Sequence, residues 1–198
     1  MNSPGKLIVF EGIDGCGKTT QQLNTVTWLQ TQGLQVLALR EPTDGPKGQQ
    51  LRISAEEGRL SPEDELALFL ADRKWNIDNN ILPAIKQGRY VLLDRFNFST
   101  IAYQGARGLD PEELQKRNEA FAPIPDLVLL FDLDPELAIE RIKTKRGETP
   151  NLFEKIDYLT KVREIFLSIN TPYIKRIDAT PAIADVWRQV ETELRKLV

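Results

Sequence analysis

The stretch EGIDGCGKTT constrains this chain more than any other part of its 198 residues, because Gly12 to Thr19 fit the spacing G-x-x-x-x-G-K-[ST]. The apolar run KLIVFE leads straight into it, and an amphipathic segment begins at Lys18. A strand, a glycine-rich turn and a helix start in that order make backbone N–H groups converge on one point. The positive end of the helix dipole reinforces them. The residues Gly12, Ile13, Asp14, Gly15, Cys16, Gly17, Lys18, Thr19 and Thr20 therefore read as a cradle for a triphosphate. Lys18 is placed to reach the β- and γ-phosphates, and the Thr19 hydroxyl to ligate Mg2+. Asp14 is out of character there, a carboxylate at the apex of a loop that surrounds anions.

The rest of the chain continues the alternation of short apolar runs and longer amphipathic ones. Strands are expected over Leu7–Glu11, Gln35–Arg40, Tyr90–Asp94, Leu127–Asp132 and Ile174–Asp178, most of them aliphatic on both faces. Helices are expected over Lys18–Thr31, Lys47–Glu57, Glu63–Gln87, Ser99–Gly105, Pro111–Phe121, Pro135–Lys145, Phe153–Asn170 and Ile183–Leu197. Ser61-Pro62, Asp110-Pro111, Asp134-Pro135 and Thr180-Pro181 each place a capping residue before a proline suited to the first helical turn. The pattern implies an α/β protein of the three-layer P-loop NTPase fold: a parallel five-stranded sheet flanked by helices on both faces. We expect a single domain over residues 1–198, with a short lid at about 142–153, where the basic, then Gly/Thr/Pro-rich run RIKTKRGETPN joins two helices.

Composition narrows the chemistry. There is no histidine, which removes the common triads and histidine–zinc sites, and one cysteine, which removes an internal disulfide. The net charge of −3 gives no electrostatic case for nucleic acid or an anionic membrane as the main partner. The apolar run near the N-terminus is too short for a signal peptide or a membrane span, so a cytoplasmic setting is expected. Catalysis must then run on carboxylates, lysine, arginine, hydroxyls and a metal.

Two apolar runs end in an acid that could serve the metal, YVLLDR at Asp94 and LVLLFDLD at Asp132. Asp94 is the better choice because Arg95 follows it, so that metal and phosphate can be served together. Asp132 is expected to cap the turn after its strand. No guanine-reading N-K-x-D occurs. Arg40, Arg73 and Arg95, read as lying near strand ends, point to a second phosphorylated substrate. Trp28, Trp75 and Trp187 read as packing residues, and Cys16 as a small filler of the loop.

The order EGIDGCGKTT, LREPTDG, LFLADR, LLDRFNFSTIAYQG and a basic lid resembles the thymidylate kinase family over nearly the whole chain. The most specific piece is D-R-F followed by S-T-x-A-Y-Q-G. The resemblance implies Mg2+-dependent transfer of the γ-phosphoryl of ATP to dTMP in a homodimer. It also implies that Phe69 stacks on thymine, that Arg73 bonds the base or reaches phosphate, and that Arg95 holds the monophosphate. Thr100 and Gln104 fall where the family contacts the base. Tyr103 would pack on the sugar and disfavour a 2′-hydroxyl. Glu41 would lie near the acceptor, Pro42 would wall the base pocket, and Asp14 would accept a hydrogen bond from the sugar 3′-hydroxyl. Lys18, Arg95, Asp14 and a lid arginine form the expected catalytic set, with Thr19 and Asp94 for the metal.

Two departures stand out. Gly15 occupies the place of a loop arginine in some members, and Leu152 that of a lid arginine in others, which leaves Arg146, assisted by Lys145 or Arg141, to act instead. The EPTDGPKG loop adds Asp44 and Lys47 near the expected acceptor pocket. Two other readings stay open: a kinase for another nucleoside monophosphate or for a deoxynucleoside, with Glu41 as its base, and a catalytically weak nucleotide-binding regulator, motivated by Leu152.

Overall fold

The structure is a computed structural model that describes residues 4–146 and 156–198, the side chains of Lys145 and Arg146 excepted. Strands β1 (Leu7–Glu11), β2 (Val36–Arg40), β3 (Tyr90–Asp94), β4 (Leu127–Asp132) and β5 (Ile174–Asp178) form one sheet in the order β2-β3-β1-β4-β5, every pair parallel. Helices α1 (Lys18–Thr31), α2 (Pro46–Glu57), α3 (Pro62–Asn76), α4 (Leu82–Lys86), α5 (Asn97–Gly105), α6 (Pro111–Glu119), α7 (Pro135–Arg146), α8 (Ile156–Ser168) and α9 (Ile183–Leu197) flank it. The expected layered α/β fold is present.

Burial follows position in the sheet. All of β1, and β4 apart from its last residue, are sealed from solvent, and Phe10 stacks on Phe131 with ring centroids 6.2 Å apart. The edge strands β2 and β5 are only partly covered, so there the two-faced aliphatic expectation gives way to runs such as IKRID. Each fully buried Leu, Ile, Val or Phe contributes about 1.5–3 kcal/mol, so β1 is the thermodynamic anchor of the site that follows it.

Three of the four expected caps form. Ser61 Oγ accepts from the Asp64 N–H, Asp110 Oδ1 from that of Glu112, and Asp134 Oδ1 from that of Glu136. Thr180 does not cap: α9 starts later, after Ala182, which has no capping side chain. The single helix expected over 63–87 is interrupted by a π turn at Ile77–Ile81. Pro83 explains it, because a proline lacks the N–H for the carbonyl four residues back and its ring crowds that carbonyl, and the wider turn removes the conflict.

Register assembles the site. Phe10 pairs with Asp94 and Asp94 with Arg40, so β2 and β3 end level and β1 runs one residue further, where Glu11 pairs with Leu130 of β4. Glu11 and the first residues past the other two strands, Arg95 and Glu41, thus meet at the carboxyl edge of the sheet. Open α/β sheets bind ligands at this edge, where the connections after neighbouring strands part.

Candidate active site

The loop after β1 closes around its own lysine. Lys18 Nζ donates to the carbonyls of Gly12 and Ile13, 3.0 Å each, which holds the ammonium at the loop centre. Cys16 is buried in the loop, and burial pushes its thiol pKa up, as suits a packing residue more than a nucleophile. Gly15 adopts a φ of 82°, and a Cβ there would lie 2.5 Å from the carbonyl oxygen of Ala138 in α7. The backbone of α7 thus rests directly on the loop, which leaves no room for an arginine at this position in this arrangement.

Thr19 Oγ1 donates to Asp94 Oδ2 at 2.8 Å, while Asp94 Oδ1 is buried without a hydrogen-bond partner among the described residues. A hydroxyl beside a carboxylate with an oxygen to spare fits Mg2+, which takes few protein ligands and completes its shell with water and phosphate oxygens. Asp132, in contrast, is paired with Arg163 at 2.6 Å, and Asp134 caps the following turn in its place.

Two cavities open along this edge. One, of about 360 Å³, lies over the loop and is lined by Lys18, Thr19, Thr20, Asp94 and Arg141 among others. The second, of about 230 Å³, is lined by Phe69, Arg73, Thr100, Tyr103 and Gln104, together with Phe96 and Ser99. Asp14, Glu41, Pro42, Arg52 and Arg95 line both.

Arg95 sits in that shared wall. It is the one non-glycine residue with positive φ, 69°, among the described residues, a conformation that costs energy and that clusters at functional sites. Its guanidinium turns to Asp14 Oδ1 (2.5 Å) and the Ser99 hydroxyl (3.0 Å), and lies over the Tyr103 ring, 5.0 Å from the centroid. Burial works against this charge, but Asp14 leads a group of acids that holds its pKa well above the ordinary arginine value.

Arg73 lies on helix α3, but its side chain is almost fully buried against the ends of β2 and β3, over the Phe96 ring. Its Nε donates to Glu41 Oε2 (2.8 Å), Nη1 to Asn118 Oδ1 (2.5 Å) and Nη2 to Thr100 Oγ1 (2.9 Å). Glu41 Oε1 accepts from Asn76 (3.1 Å), so both of its oxygens are engaged. Gln104 is equally confined, its amide donating to Glu65, a buried carboxylate that also holds Arg59 and Arg107.

Other expectations land elsewhere. Asp44 is exposed, pairs with Arg40 (2.9 Å) and Arg52 (3.2 Å), and lines a neighbouring cavity with Trp75 rather than the one lined by Phe69. Lys47 lines neither cavity and bonds Gln50. Trp75 is 47% exposed and does not belong to the core, unlike Trp28 and Trp187, which pack against it. Arg141 faces the loop cavity but donates to the carbonyls of Ala179 and Thr180. The Arg146 side chain and Leu152 lie outside the described residues.

Sequence reading overlooked Arg52, Glu65, Ser99, Asn118 and Glu11. Arg52 carries no signal beyond an arginine on a polar helix, yet it bonds the carbonyls of Pro42 and Thr43 and reaches both cavities. Glu11 did carry one, being an acid that ends an otherwise apolar strand. Burial raises its pKa to about 7, opposed chiefly by the Ser99 hydrogen bond and Arg95. The folded protein therefore keeps a proton that the unfolded chain releases at about 4.5. Stability is lost as pH rises from about 4.5 to 7, by about 3 kcal/mol in all. Melting curves of wild type and Glu11→Gln should draw apart across that window, the wild type falling relative to the variant, and parallel curves would contradict it.

A phosphate cradle joined through a shared wall to a second, arginine-lined cavity defines an ATP-dependent phosphotransferase of the P-loop class. The sequence profile of the family described as thymidylate kinase matches residues 10–190. Over its full 198 residues the chain is 46% identical to a thymidylate kinase of Desulfotalea psychrophila, covering 98% of it. It is 45% identical to a probable thymidylate kinase of Archaeoglobus fulgidus over 97% of this chain and 94% of that one. With a thymidylate kinase of Akkermansia muciniphila the figures are 46%, 96% and 91%. The chain belongs to the thymidylate kinase family.

Proposed function

We propose that this chain transfers the γ-phosphoryl group of ATP to dTMP, giving dTDP and ADP, with the transfer occurring where the two cavities meet. The observation that carries this is the shared wall of Asp14, Glu41, Pro42, Arg52 and Arg95 between the loop cavity and the aromatic one. Gly12 to Thr20 hold the triphosphate, and Lys18 turns from the loop carbonyls to its oxygens. Arg95, with Arg52 opposite, holds the acceptor monophosphate. Phe69 stacks on the base, Arg73 donates to it, Thr100 and Gln104 close the pocket around it, and Tyr103 packs on the sugar. Thr19 and Asp94 would hold Mg2+, which spreads the charge of the phosphates.

No general base is required. A phosphate monoester has its second pKa at about 6 and is largely ionised at neutral pH, so the enzyme has to align two anions and disperse charge. This argues against a nucleoside acceptor. The candidate base for its hydroxyl, Glu41, has both oxygens engaged by Arg73 and Asn76. ADP release measured across dTMP, dUMP, dGMP, dCMP and AMP tests the reading. Release with dTMP well above the others supports it, and release with none of them would favour a nucleotide-binding regulator.

Asp14 ties the two substrates together, with one oxygen on Arg95 and the other accepting from the Tyr103 hydroxyl at 3.3 Å. Asp14→Asn should lower turnover about 100-fold, the scale of losing one partner of a close charge pair, while leaving ATP affinity nearly unchanged. Equal loss of both would reject this role. Arg146 supplies the lid charge, so Arg146→Ala should reduce turnover with little change in the KM for dTMP, and unchanged turnover would remove it from the set. The family resemblance also supports a cytoplasmic homodimer. Exposed Ile53 on α2 and Trp75 on α3 offer apolar surface, and light scattering of the pure protein tests the oligomeric state. No helix of the described residues is long and apolar enough to cross a membrane.

A further inference from the structure

Glu11 is fully buried at the end of β1, one residue before the phosphate loop, and none of the steps above uses it. Its carboxylate points under α5. Oε1 accepts from the backbone N–H groups of Phe96 (2.8 Å) and Ser99 (3.0 Å), and Oε2 accepts from the Ser99 hydroxyl (2.5 Å). Phe96 is the N-cap of α5 and has no side chain that can cap it. A helix start leaves backbone donors unpaired, and a carboxylate is the best acceptor for them. Glu11 therefore caps α5 from another element.

The chain of bonds continues beyond the cap. The Ser99 hydroxyl that donates to Glu11 accepts from Arg95 Nη1 at 3.0 Å, and Arg95 Nη2 donates to Asp14. The Arg95 backbone N–H is bonded to the Phe10 carbonyl at 3.0 Å. Two acids three residues apart, Glu11 and Asp14, thus hold the same arginine, one through Ser99 and one directly. A residue at a φ of 69° keeps that conformation only if its surroundings over-determine it, and the bonds on either side of Arg95 do so.

We propose that Glu11 is a positioning residue for the acceptor phosphate: by capping α5 and engaging the Ser99 hydroxyl, it fixes the turn from Arg95 to Ser99 and sets the direction of the Arg95 guanidinium. The inference rests on the reading of Arg95 as the cation that holds the monophosphate.

Glu11→Gln separates the two parts of the device. Its amide oxygen can still accept from the two backbone N–H groups, but its NH2 group cannot accept the Ser99 hydroxyl proton. The cap survives and the relay to Arg95 is broken. Measured at about pH 8, where Glu11 is ionised and accepts from Ser99, the expected result is a loss of about 10-fold or more in kcat/KM for dTMP, with the KM for ATP within about 2-fold of wild type. In an Arg95→Lys background the same change should cost less than about 2-fold, because the group it positions is gone. Ser99→Ala reads the same relay should Glu11→Gln fail to fold. Parallel losses for ATP and dTMP, or losses that multiply fully in the double variant, would overturn the role of Glu11. If Arg95→Lys alone leaves dTMP kinetics unchanged, the reading of Arg95 fails and the proposal with it. If Arg95→Lys impairs dTMP use while Glu11→Gln does not, only the proposal fails.

Discussion

Arg95→Ala is expected to lower kcat/KM for dTMP about 1000-fold, or ~4 kcal/mol, with ATP affinity close to wild type. The size follows from the site. The guanidinium is largely buried, it is the direct ion-pair partner of Asp14, and its pKa is held well above the ordinary value. Removing it takes a fixed cation from the acceptor side and also leaves Asp14 beside an incoming dianion, so that attraction is replaced by repulsion. Arg95→Lys should recover only part of the loss, because an ammonium restores the charge but not the fork that spans Ser99 and Asp14. Steady-state kinetics with each substrate varied in turn checks this. A loss under about 10-fold, or an equal rise in the KM for ATP, would contradict the assignment.

Arg73→Ala is expected to destabilise the fold by about 3–5 kcal/mol, since it strands Glu41 as an unpaired buried acid and leaves Asn118 and Thr100 without their donor. For a chain of this length that lowers the melting temperature by on the order of 10 °C. The sign with pH is defined. Burial already raises the Glu41 pKa against the pull of Arg73, and loss of the arginine raises it further. The folded variant then keeps its proton to a higher pH than folded wild type does, so its deficit should grow as pH rises through the wild-type Glu41 pKa, which itself lies above the ordinary carboxylate value. Adding Glu41→Gln to Arg73→Ala should return part of the stability, because the uncompensated charge is gone. A deficit under about 1 kcal/mol, or a double variant no better than the single, would count against a structural role for this pair.

Much of the architecture was legible because it rests on local rules. Strand ends matched within a residue where apolar runs met polar ones, as at Leu127–Asp132, and caps formed where Ser61, Asp110 and Asp134 preceded a proline. Legibility failed where a local cue met a competing tertiary demand. The helix expected over 63–87 carries the right periodicity, but Pro83 forces a π turn into it. Asp132, at a strand end suited to a cap, is instead taken by Arg163 of α8, a partner 31 positions away. Asp44 and Lys47 sit close in sequence to Glu41 and Pro42, which line both cavities, but Asp44 is held at the surface by Arg40 and Lys47 lies on α2 against Gln50.

The phosphate cradle, the α/β alternation and the kind of chemistry available follow from the amino-acid order alone, since glycine spacing, hydrophobic period and the absence of histidine act through the local chain. Which acid meets which arginine is set by packing between distant segments. Parallel register brings Glu11, Arg95 and Glu41 to one edge, and burial then makes each pairing nearly obligatory, because a charge withdrawn from water must find its partner nearby. The same packing decided Gly15: the backbone of α7 lies where a side chain would go, so any lid cation must come from beyond that contact. Asp14, which looked misplaced among phosphates, is explained by Arg95, a residue 81 positions later in the chain.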